Sequence, residues 1–389
     1  MVKAAAFVAH GGGPTAVLNM SLLGVYRETR RQGLSRLWAG RGGLAGVLES
    51  KVQDLLSVPS GRMERMAFAP GSIPGSFRGA LAAEALERVL QFFRQHEIRF
   101  FFYTGGNGSM GTALRMSRLA EQQGYELRVV GIPKTMDNDL RRTDHCPGFG
   151  SAARFVARAV RDIGLDQRAL PTPVSIIEVM GRNSGWLAAA SLLARRRPDD
   201  PPHFIYCPER PFESESFLTR VDSVLCRFGW VVGVVAEGLR DATGSMLGAA
   251  RGSSLDARRR PLAGNCGQAL ARLVSLRLKV RARSEKPGLL CRCSSCCISP
   301  VDAREALRAG EFAVRRALRG ETGVMVRFLR TDSPRYRSEL GLVPLSRVAD
   351  LERTLPQRYL EAEGMVSRDF CEYAAPLAGP LESFPLLGH

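Results

Sequence analysis

Short apolar runs alternate with longer amphipathic segments along most of the chain. These runs are mostly apolar rather than alternating, which is typical of strands buried on both faces of a parallel sheet. The intervening segments place apolar residues three or four positions apart and predict helices, for example at residues 81–95 and 151–163. Strands are predicted at residues 4–9, 98–104, 127–132, 174–180, 204–207, 230–236 and 324–329. This order of elements indicates an α/β protein.

The first three predicted strands each end in a loop that suits phosphate binding. The first loop contains Gly11, Gly12 and Gly13, the second contains Gly105, Gly106 and Gly108, and the third begins at Gly131. Glycines at a strand-to-helix turn let backbone N–H groups face an anion. One such loop is a weak signal, because many glycine clusters are only tight turns. Since the carboxyl ends of parallel strands meet at one edge, we expect the three loops to converge on a ligand.

The third loop also carries side chains for phosphoryl chemistry. Pro133 ends the strand, and Lys134, Thr135, Asp137 and Asp139 follow it directly. The cation can hold a phosphate, one carboxylate can face a metal, and the other can take a proton from an attacking hydroxyl. A solvated polar turn is the alternative interpretation of this segment. The two neighbouring glycine loops favour the catalytic interpretation.

Composition and charge bear on whether the protein binds nucleic acid or a membrane. The formal net charge is +17, and only 5 of the 55 basic residues are lysine. A nucleic-acid surface is one interpretation of this charge. The arginines are scattered along helices without interleaved aromatic residues, so we expect no nucleic-acid partner. No apolar run is long enough to span a membrane or to form a signal-peptide core, so we expect a cytoplasmic protein without a membrane partner.

The nine cysteines are expected to be reduced in a long cytoplasmic chain. Cys291, Cys293, Cys296 and Cys297 lie close together in sequence and make a zinc site the alternative. This cluster has one CxxC spacing and no histidine near it, so small buried residues are the favoured interpretation. The segment 241–260 is rich in glycine, serine and arginine and predicts a flexible insertion.

Together these motifs resemble the phosphofructokinase family over nearly the whole chain. The matching segments are Gly105-Gly106 with Ser109, Pro133-Lys-Thr-Met-Asp-Asn-Asp139, Phe149-Gly-Ser-Ala-Ala-Arg154, Glu178-Val-Met-Gly-Arg182 and Pro300-Val-Asp302. In detail the chain is most similar to the pyrophosphate-type and mixed-donor branch. The resemblance implies two facing Rossmann-like α/β domains with mainly parallel sheets. It assigns residues 1–148 with about 291–332 to a phosphoryl-donor domain, and 149–290 with about 333–389 to a sugar-phosphate domain.

The resemblance also implies an activity and a set of roles. The activity is transfer of a phosphoryl group to the 1-hydroxyl of fructose 6-phosphate, a step of glycolysis, with Mg²⁺ and in a homodimer or homotetramer. The implied catalytic residues are Asp137 as the base, with Arg182, Thr135 and Lys134. The implied donor-binding residues are Gly12, Arg78, Gly106, Asn107, Gly108 and Ser109, and the implied metal ligands are Asn107 and Asp139. The implied substrate-binding residues are Met180, Gly181, Glu237, Arg292 and Arg283, the last usually reaching in from a neighbouring subunit.

Several positions depart from the family pattern. Gly108 stands where pyrophosphate users place an aspartate, and the room it leaves favours ATP as the donor. Lys134 is the residue of pyrophosphate enzymes and keeps pyrophosphate as the alternative. Asn107 replaces an aspartate and is a weaker partner for hydrated magnesium. Leu289 replaces a polar residue at the sugar phosphate, and Pro173 replaces an arginine, so a non-catalytic sugar-phosphate-binding protein is the second alternative.

Overall fold

The computed structural model describes residues 4–170, 172–248 and 264–385 and divides the chain into two compact units. The first unit comprises Met1–Phe149 and Arg292–Arg353, and the second comprises Gly150–Cys291 and Thr354–His389. Residues 333–353 belong to the first unit, contrary to the expectation from sequence, because they supply a strand of its sheet. The predicted insertion at 241–260 lies outside the described residues from residue 249 onward.

Each of the seven strands predicted from sequence is confirmed to within one residue at either end. The strands are β1 (Ala5–His10), β2 (Leu37–Gly40), β3 (Val52–Asp54), β4 (Ile98–Gly105), β5 (Arg128–Pro133), β6 (Val174–Val179), β7 (Ile205–Tyr206), β8 (Val231–Ala236), β9 (Ala282–Glu285), β10 (Val324–Arg330), β11 (Ser338–Pro344), β12 (Leu360–Glu361) and β13 (Met365–Val366).

The helices alternate with these strands along the chain, as the sequence pattern predicts, and α12 follows the last strand. They are α1 (Leu18–Arg31), α2 (Ala45–Leu48), α3 (Ser60–Met66), α4 (Ala83–Gln95), α5 (Asn107–Gln122), α6 (Phe149–Ala169), α7 (Trp186–Ala190), α8 (Ser214–Phe228), α9 (Cys266–Arg277), α10 (Leu290–Cys293), α11 (Pro300–Leu318) and α12 (Arg368–Ala378). Within the described ranges, no helix combines the length and the hydrophobicity needed to cross a membrane.

The first unit is built, within its described residues, on a seven-stranded sheet in the order β11-β10-β5-β4-β1-β2-β3. The five inner strands are parallel, and antiparallel β11 and β3 form the edges. Because β5, β4 and β1 are adjacent, the three loops at their carboxyl ends lie at one edge of the sheet. The convergence expected from sequence is therefore confirmed.

Helices cover both faces of this sheet, which explains why its inner strands are mostly apolar. Phe7 and Phe101 face one side and pack against Phe93 of α4, with ring centroids 5.1 and 5.4 Å away. Val8 and Phe102 face the other side, where α1 and α11 cover them. Each Phe or Val buried in this way contributes on the order of 2 kcal/mol of hydrophobic stabilisation.

Helices α1 and α11 approach each other closely through a pair of glycines. A Cβ atom on Gly24 would overlap the carbonyl oxygen of Leu307, and one on Gly310 would overlap that of Ser21. The two backbones therefore approach to a distance that no larger side chain permits. This contact fixes α11 against the sheet, and α11 in turn holds the loop that follows β5, as described below.

The second unit contains, in its described part, a four-stranded parallel sheet in the order β7-β8-β6-β9. β6 and β8 are buried along their whole length, although β6 also contains Ser175 and Glu178. The C-terminal segment packs on this unit. The ring of Trp186 in α7 lies 5.3 Å from that of Tyr373 and 6.1 Å from that of Phe370, both in α12.

Candidate functional site

The loop after β1 is held close to its neighbours by short backbone contacts. Gly11 N donates to Thr104 O at 2.9 Å, and Gly12 N donates to Phe77 O at 2.9 Å. Gly12 has a φ of 77°, a conformation that favours glycine. Because its N–H group is already used, Gly12 offers a ligand space rather than a hydrogen bond. The segment through Phe77 brings the exposed Arg78 to this edge.

The second loop joins β4 to α5, which begins at Asn107 directly after Gly106. Ser109 is buried in the first turn of this helix. A Cβ atom on either Gly11 or Gly105 would overlap the Ser109 hydroxyl oxygen. Ser109 therefore packs between the two glycine loops and sets their separation, while Gly106 and Gly108 remain half-buried at the helix start.

Lys134 links the third loop to the first. Its side chain is buried, at 3% exposure, and Nζ donates to the carbonyl oxygen of Gly13 at 2.7 Å. Burial, followed by the charge of Arg292, lowers the pKa of Lys134 to about 8, although Asp137 and Asp139 oppose this shift. Among the residues that the structure describes, no carboxylate forms an ion pair with Lys134. Such a buried cation suits an anionic ligand, because a bound phosphate would supply the missing negative charge.

Arg292 lies at the same loop. Its carbonyl oxygen accepts from Ala16 N at 2.8 Å, and a Cβ atom on Gly13 would overlap its guanidinium. Burial and the nearby charge of Arg78 lower the pKa of Arg292. Its Nε is buried, and the described residues offer it no hydrogen-bond partner. The structure thus brings Arg292, expected at the sugar phosphate, close to Gly13 and to the charges of Lys134 and Arg78.

The carboxylates of the third loop have different surroundings. Asp137 N donates to Thr135 Oγ1 at 3.1 Å, and the Asp137 side chain is half-buried near the Lys134 and Arg292 charges. Asp139 Oδ2 accepts from Asn107 Nδ2 at 3.0 Å. Burial raises the pKa of Asp139, and Thr135 opposes that shift. One carboxylate is therefore set among cations, and the other is paired with an amide.

Asn107 and Asp139 together offer a cation a small oxygen-rich site. Asn107 Oδ1 and Asp139 Oδ1 are both buried, and neither has a hydrogen-bond partner among the described residues. No group of three or more His, Cys, Asp or Glu side chains within the described ranges is arranged to hold a metal. Mg²⁺ keeps several waters and needs only one or two carboxylates beside substrate phosphates. The pair therefore fits a hydrated, phosphate-bound Mg²⁺ rather than a metal held entirely by protein.

Two residues not assigned from sequence hold this loop in place. Arg353 donates to Asn138 O at 2.8 and 3.1 Å and to Thr143 O at 2.8 Å. Asp302, in the first turn of α11, accepts from Gly148 N at 2.9 Å. These contacts join residues far apart in sequence. Only Asp302 belongs to a motif that the sequence identifies, Pro300-Val-Asp302. They fix the backbone on both sides of Asp139.

The second unit brings Met180, Gly181, Arg182 and Glu237 together at one sheet edge. β6 and β8 are adjacent and in register up to Val179 and Ala236, so Met180 and Glu237 leave the sheet side by side. Glu237 N donates to Val179 O at 2.9 Å, which fixes the start of its loop. Burial raises the pKa of the Glu237 carboxyl, and the Lys286 charge opposes that shift.

Arg283 does not lie at this edge of its own chain. It is exposed on β9 and faces Ser175, near the beginning of the neighbouring β6. The strand end that carries Met180 is five residues further along, or about 16 Å at the usual rise of a strand. Within the second unit, Arg283 is therefore separated from Met180 and Glu237.

The sequence matches the family model described as Phosphofructokinase over residues 5–317. The chain is 39% identical to the pyrophosphate–fructose 6-phosphate 1-phosphotransferase of Rhodospirillum rubrum, over 97% of this chain and 95% of that protein. It is 38% identical to the enzyme of the same name from Xanthomonas campestris, over 95% and 90% of the two chains. The crystal structure of a pyrophosphate-dependent phosphofructokinase from Marinobacter aquaeolei has a TM-score of 0.88 and 35% identity, covering 99% of this chain and 93% of that one.

Proposed function

Because the chain belongs to the phosphofructokinase family and is a phosphotransferase, we propose that it transfers a phosphoryl group from pyrophosphate to the 1-hydroxyl of fructose 6-phosphate. Two relatives that match almost the full chain carry this activity in their names, which supports pyrophosphate over the ATP expected from Gly108. The buried Lys134 at the Gly13 carbonyl is the observation that carries the proposal.

Three cations at the β1 loop explain why a small, densely charged donor suits this site. Lys134 is buried, Arg292 is half-buried, and Arg78 is near them. Burial lowers the pKa values of Lys134 and Arg292, and repulsion adds to this effect, from Arg292 on Lys134 and from Arg78 on both. A pyrophosphate bound against Gly12 and Gly13 would relieve that repulsion. An ATP donor would use the space at Gly108 and remains the second candidate.

Catalysis is then positioning and charge neutralisation. Asp137 takes the proton of the sugar 1-hydroxyl, and the neighbouring Thr135 hydroxyl fixes the backbone from which Asp137 projects. Lys134 and Arg292 stabilise negative charge on the transferred group, and Arg182 contributes a further cation. Gly106, Asn107 and Gly108 line the donor phosphates at the start of α5.

A divalent cation, Mg²⁺ by our proposal, would be held by Asp139 and Asn107 together with donor phosphate oxygens. When bound it neutralises phosphate charge. The buried Oδ1 atoms of Asn107 and Asp139, which find no hydrogen-bond partner in the described part of the chain, support this assignment. Metal binding requires an ionised Asp139. Because burial raises the pKa of this carboxyl, its charged form is less favourable when no metal is bound.

The sugar phosphate is assigned to the edge formed by Met180, Gly181 and Arg182, with Glu237 accepting a sugar hydroxyl. Arg283 would complete this site from a neighbouring copy of the chain, which is consistent with its exposed position away from Glu237 in its own chain. We therefore propose a cytoplasmic homodimer or homotetramer, with one unit binding the donor and the other the sugar.

A coupled assay with fructose 6-phosphate and magnesium, run in parallel with pyrophosphate and with ATP, tests the proposal. We expect turnover with pyrophosphate and little with ATP. Asp137→Asn should lower kcat by roughly 10²- to 10⁴-fold while saturable fructose 6-phosphate binding is retained. Turnover with ATP alone would assign donor choice to Gly108. Binding without turnover from either donor would identify a non-catalytic sugar-phosphate-binding protein.

A further inference from the structure

Lys286 lies beside the strand ends that carry the sugar-site residues of the second unit. It follows β9 by one residue, and β9 is paired in parallel with β6. Its Nζ is 2.7 Å from Glu178 Oε1 and 3.0 Å from Asn265 Oδ1. Glu178 is near the end of β6, so this one side chain joins three separate segments of the unit.

The carboxylate that Lys286 meets is an unusual one. The Glu178 side chain is only 1% exposed, and its other oxygen, Oε2, accepts from Gly267 N at 2.9 Å. An ionised carboxylate buried to this degree needs a cation close by. Lys286 is the partner that the described residues provide, and the ion pair anchors both the β6 end and the start of α9.

Glu237 lies next to this ion pair, and the charges of both Lys286 and Glu178 act on its carboxyl. Glu178 is one strand away, opposite Val235 in the register of β6 and β8. The charged groups that act on Glu237 are Lys286 from the β9 end, Glu178 from β6 and Arg182 from the loop after β6, and Gly181 provides a backbone hydrogen bond. Burial raises the pKa of Glu237 and Glu178 adds to this, while Lys286 and Arg182 lower it.

We propose that Lys286 is a positioning residue for the sugar site: it ties the ends of β6 and β9 together through Glu178 and Asn265 and keeps Glu237 as the carboxylate that accepts a sugar hydroxyl. The sugar part of this inference rests on the proposed function. Glu178 and Lys286 then act on Glu237 in opposite directions, although they form one ion pair. If the ion pair were purely structural, removing Lys286 and removing Glu178 would change the pH profile in the same direction.

The test compares Lys286→Gln, Lys286→Arg and Glu178→Gln with Lys279→Gln, which removes an exposed lysine elsewhere in the same unit. In K286Q, kcat/KM for fructose 6-phosphate should fall about tenfold at acid pH, mainly through KM, and recover as the pH rises. K286R should restore the wild-type profile. E178Q should extend activity to lower pH. K286Q and E178Q moving the acid limb in the same direction, or K286Q matching K279Q, would overturn the proposal.

K286Q leaves the buried Glu178 carboxylate without its cation and risks unfolding. The double variant E178Q/K286Q removes both charges, and we expect it to fold with an acid limb close to that of the wild type. A ¹³C NMR titration of Glu237 in the free protein, assigned with E237Q, gives an answer independent of turnover. Inactive wild-type protein would refute the proposed function alone, whereas a Glu237 titration unmoved by K286Q would refute the role of Lys286.

Discussion

His145 is the centre of a buried charge network whose stability depends on pH. Its Nδ1 is 2.9 Å from Asp144 Oδ2, and its Nε2 is 2.7 Å from Glu305 Oε2. Glu305 also accepts hydrogen bonds from Tyr336 and Ser338, and Asp144 pairs with Arg330 at 3.2 Å. The imidazole thus has a carboxylate at each nitrogen, and this arrangement requires its charged form.

The magnitude follows from the change in pKa on folding. Burial alone would lower the pKa of His145, but Glu305 and Asp144 raise it from 6.5 to about 9. At about 1.4 kcal/mol for each pKa unit, the protonated form stabilises the fold by about 3 kcal/mol. Since the folded pKa is the higher one, this stability is complete below pH 6.5 and is lost as the pH rises through 9.

Hydrogen exchange as a function of urea concentration measures this effect locally. Peptides from α11, which carries Glu305, should lose about 3 kcal/mol of opening free energy in wild-type protein between pH 6.5 and a pH above 9. His145→Gln, which cannot be protonated, should show little of that change. Peptides from α12 in the second unit are the internal control. Equal pH dependence in the wild type and in H145Q would refute the assignment of the charge to His145.

Three further predictions concern the donor site and the core. Because the pKa of Lys134 is about 8, kcat/KM for pyrophosphate should decline above that pH, and Lys134→Arg, which stays charged, should move the decline to higher pH. Asn107→Asp should lower the magnesium concentration for half-maximal activity several-fold, since a second carboxylate joins Asp139, and an unchanged value would remove Asn107 from the metal site. Gly310→Val should destabilise the first unit by roughly 1–3 kcal/mol in urea unfolding, because α1 leaves its Cβ no room, whereas Gly61→Val, at an exposed and open position of α3, should cost much less.

The fold was largely predictable because its main signals are local. The predicted strands are mostly apolar, with isolated polar residues such as Arg99 and Glu178, and such runs occur where helices cover both faces of a sheet. β11 is not predicted from the sequence because it lacks such an apolar run. It is an edge strand with the sequence Ser-Glu-Leu-Gly-Leu-Val-Pro, whose exposed positions break the apolar run. Missing it also displaced the expected domain boundary, since β11 is what holds residues 338–344 in the first unit.

The candidate site was predictable in its loops but not in its long-range contacts. Spacing alone placed Lys134, Asp137 and Asp139 on one loop beside two glycine loops, and the sheet order confirms that convergence. The contact of Lys134 with the Gly13 carbonyl depends on a side chain that crosses from β5 past β4 to the β1 loop. Arg353 likewise reaches the Asn138 carbonyl from the end of the first unit. No local pattern encodes either contact.

The choice of phosphoryl donor also depends on a long-range feature, the burial of charged side chains, that the sequence does not show. From the sequence, the room expected beside Gly108 favours ATP as the donor. The structure adds that Lys134 is buried beside Arg292, with a pKa lowered by that burial and that neighbour. Two cations side by side, one buried and one half-buried, cost free energy when no anion is bound. The anion that places the most negative charge against Gly12 and Gly13 offsets this cost best. In our proposal pyrophosphate places its entire charge there, whereas much of ATP is a neutral nucleoside. We therefore expect charge density at Lys134 to outweigh the room at Gly108 in the choice of donor.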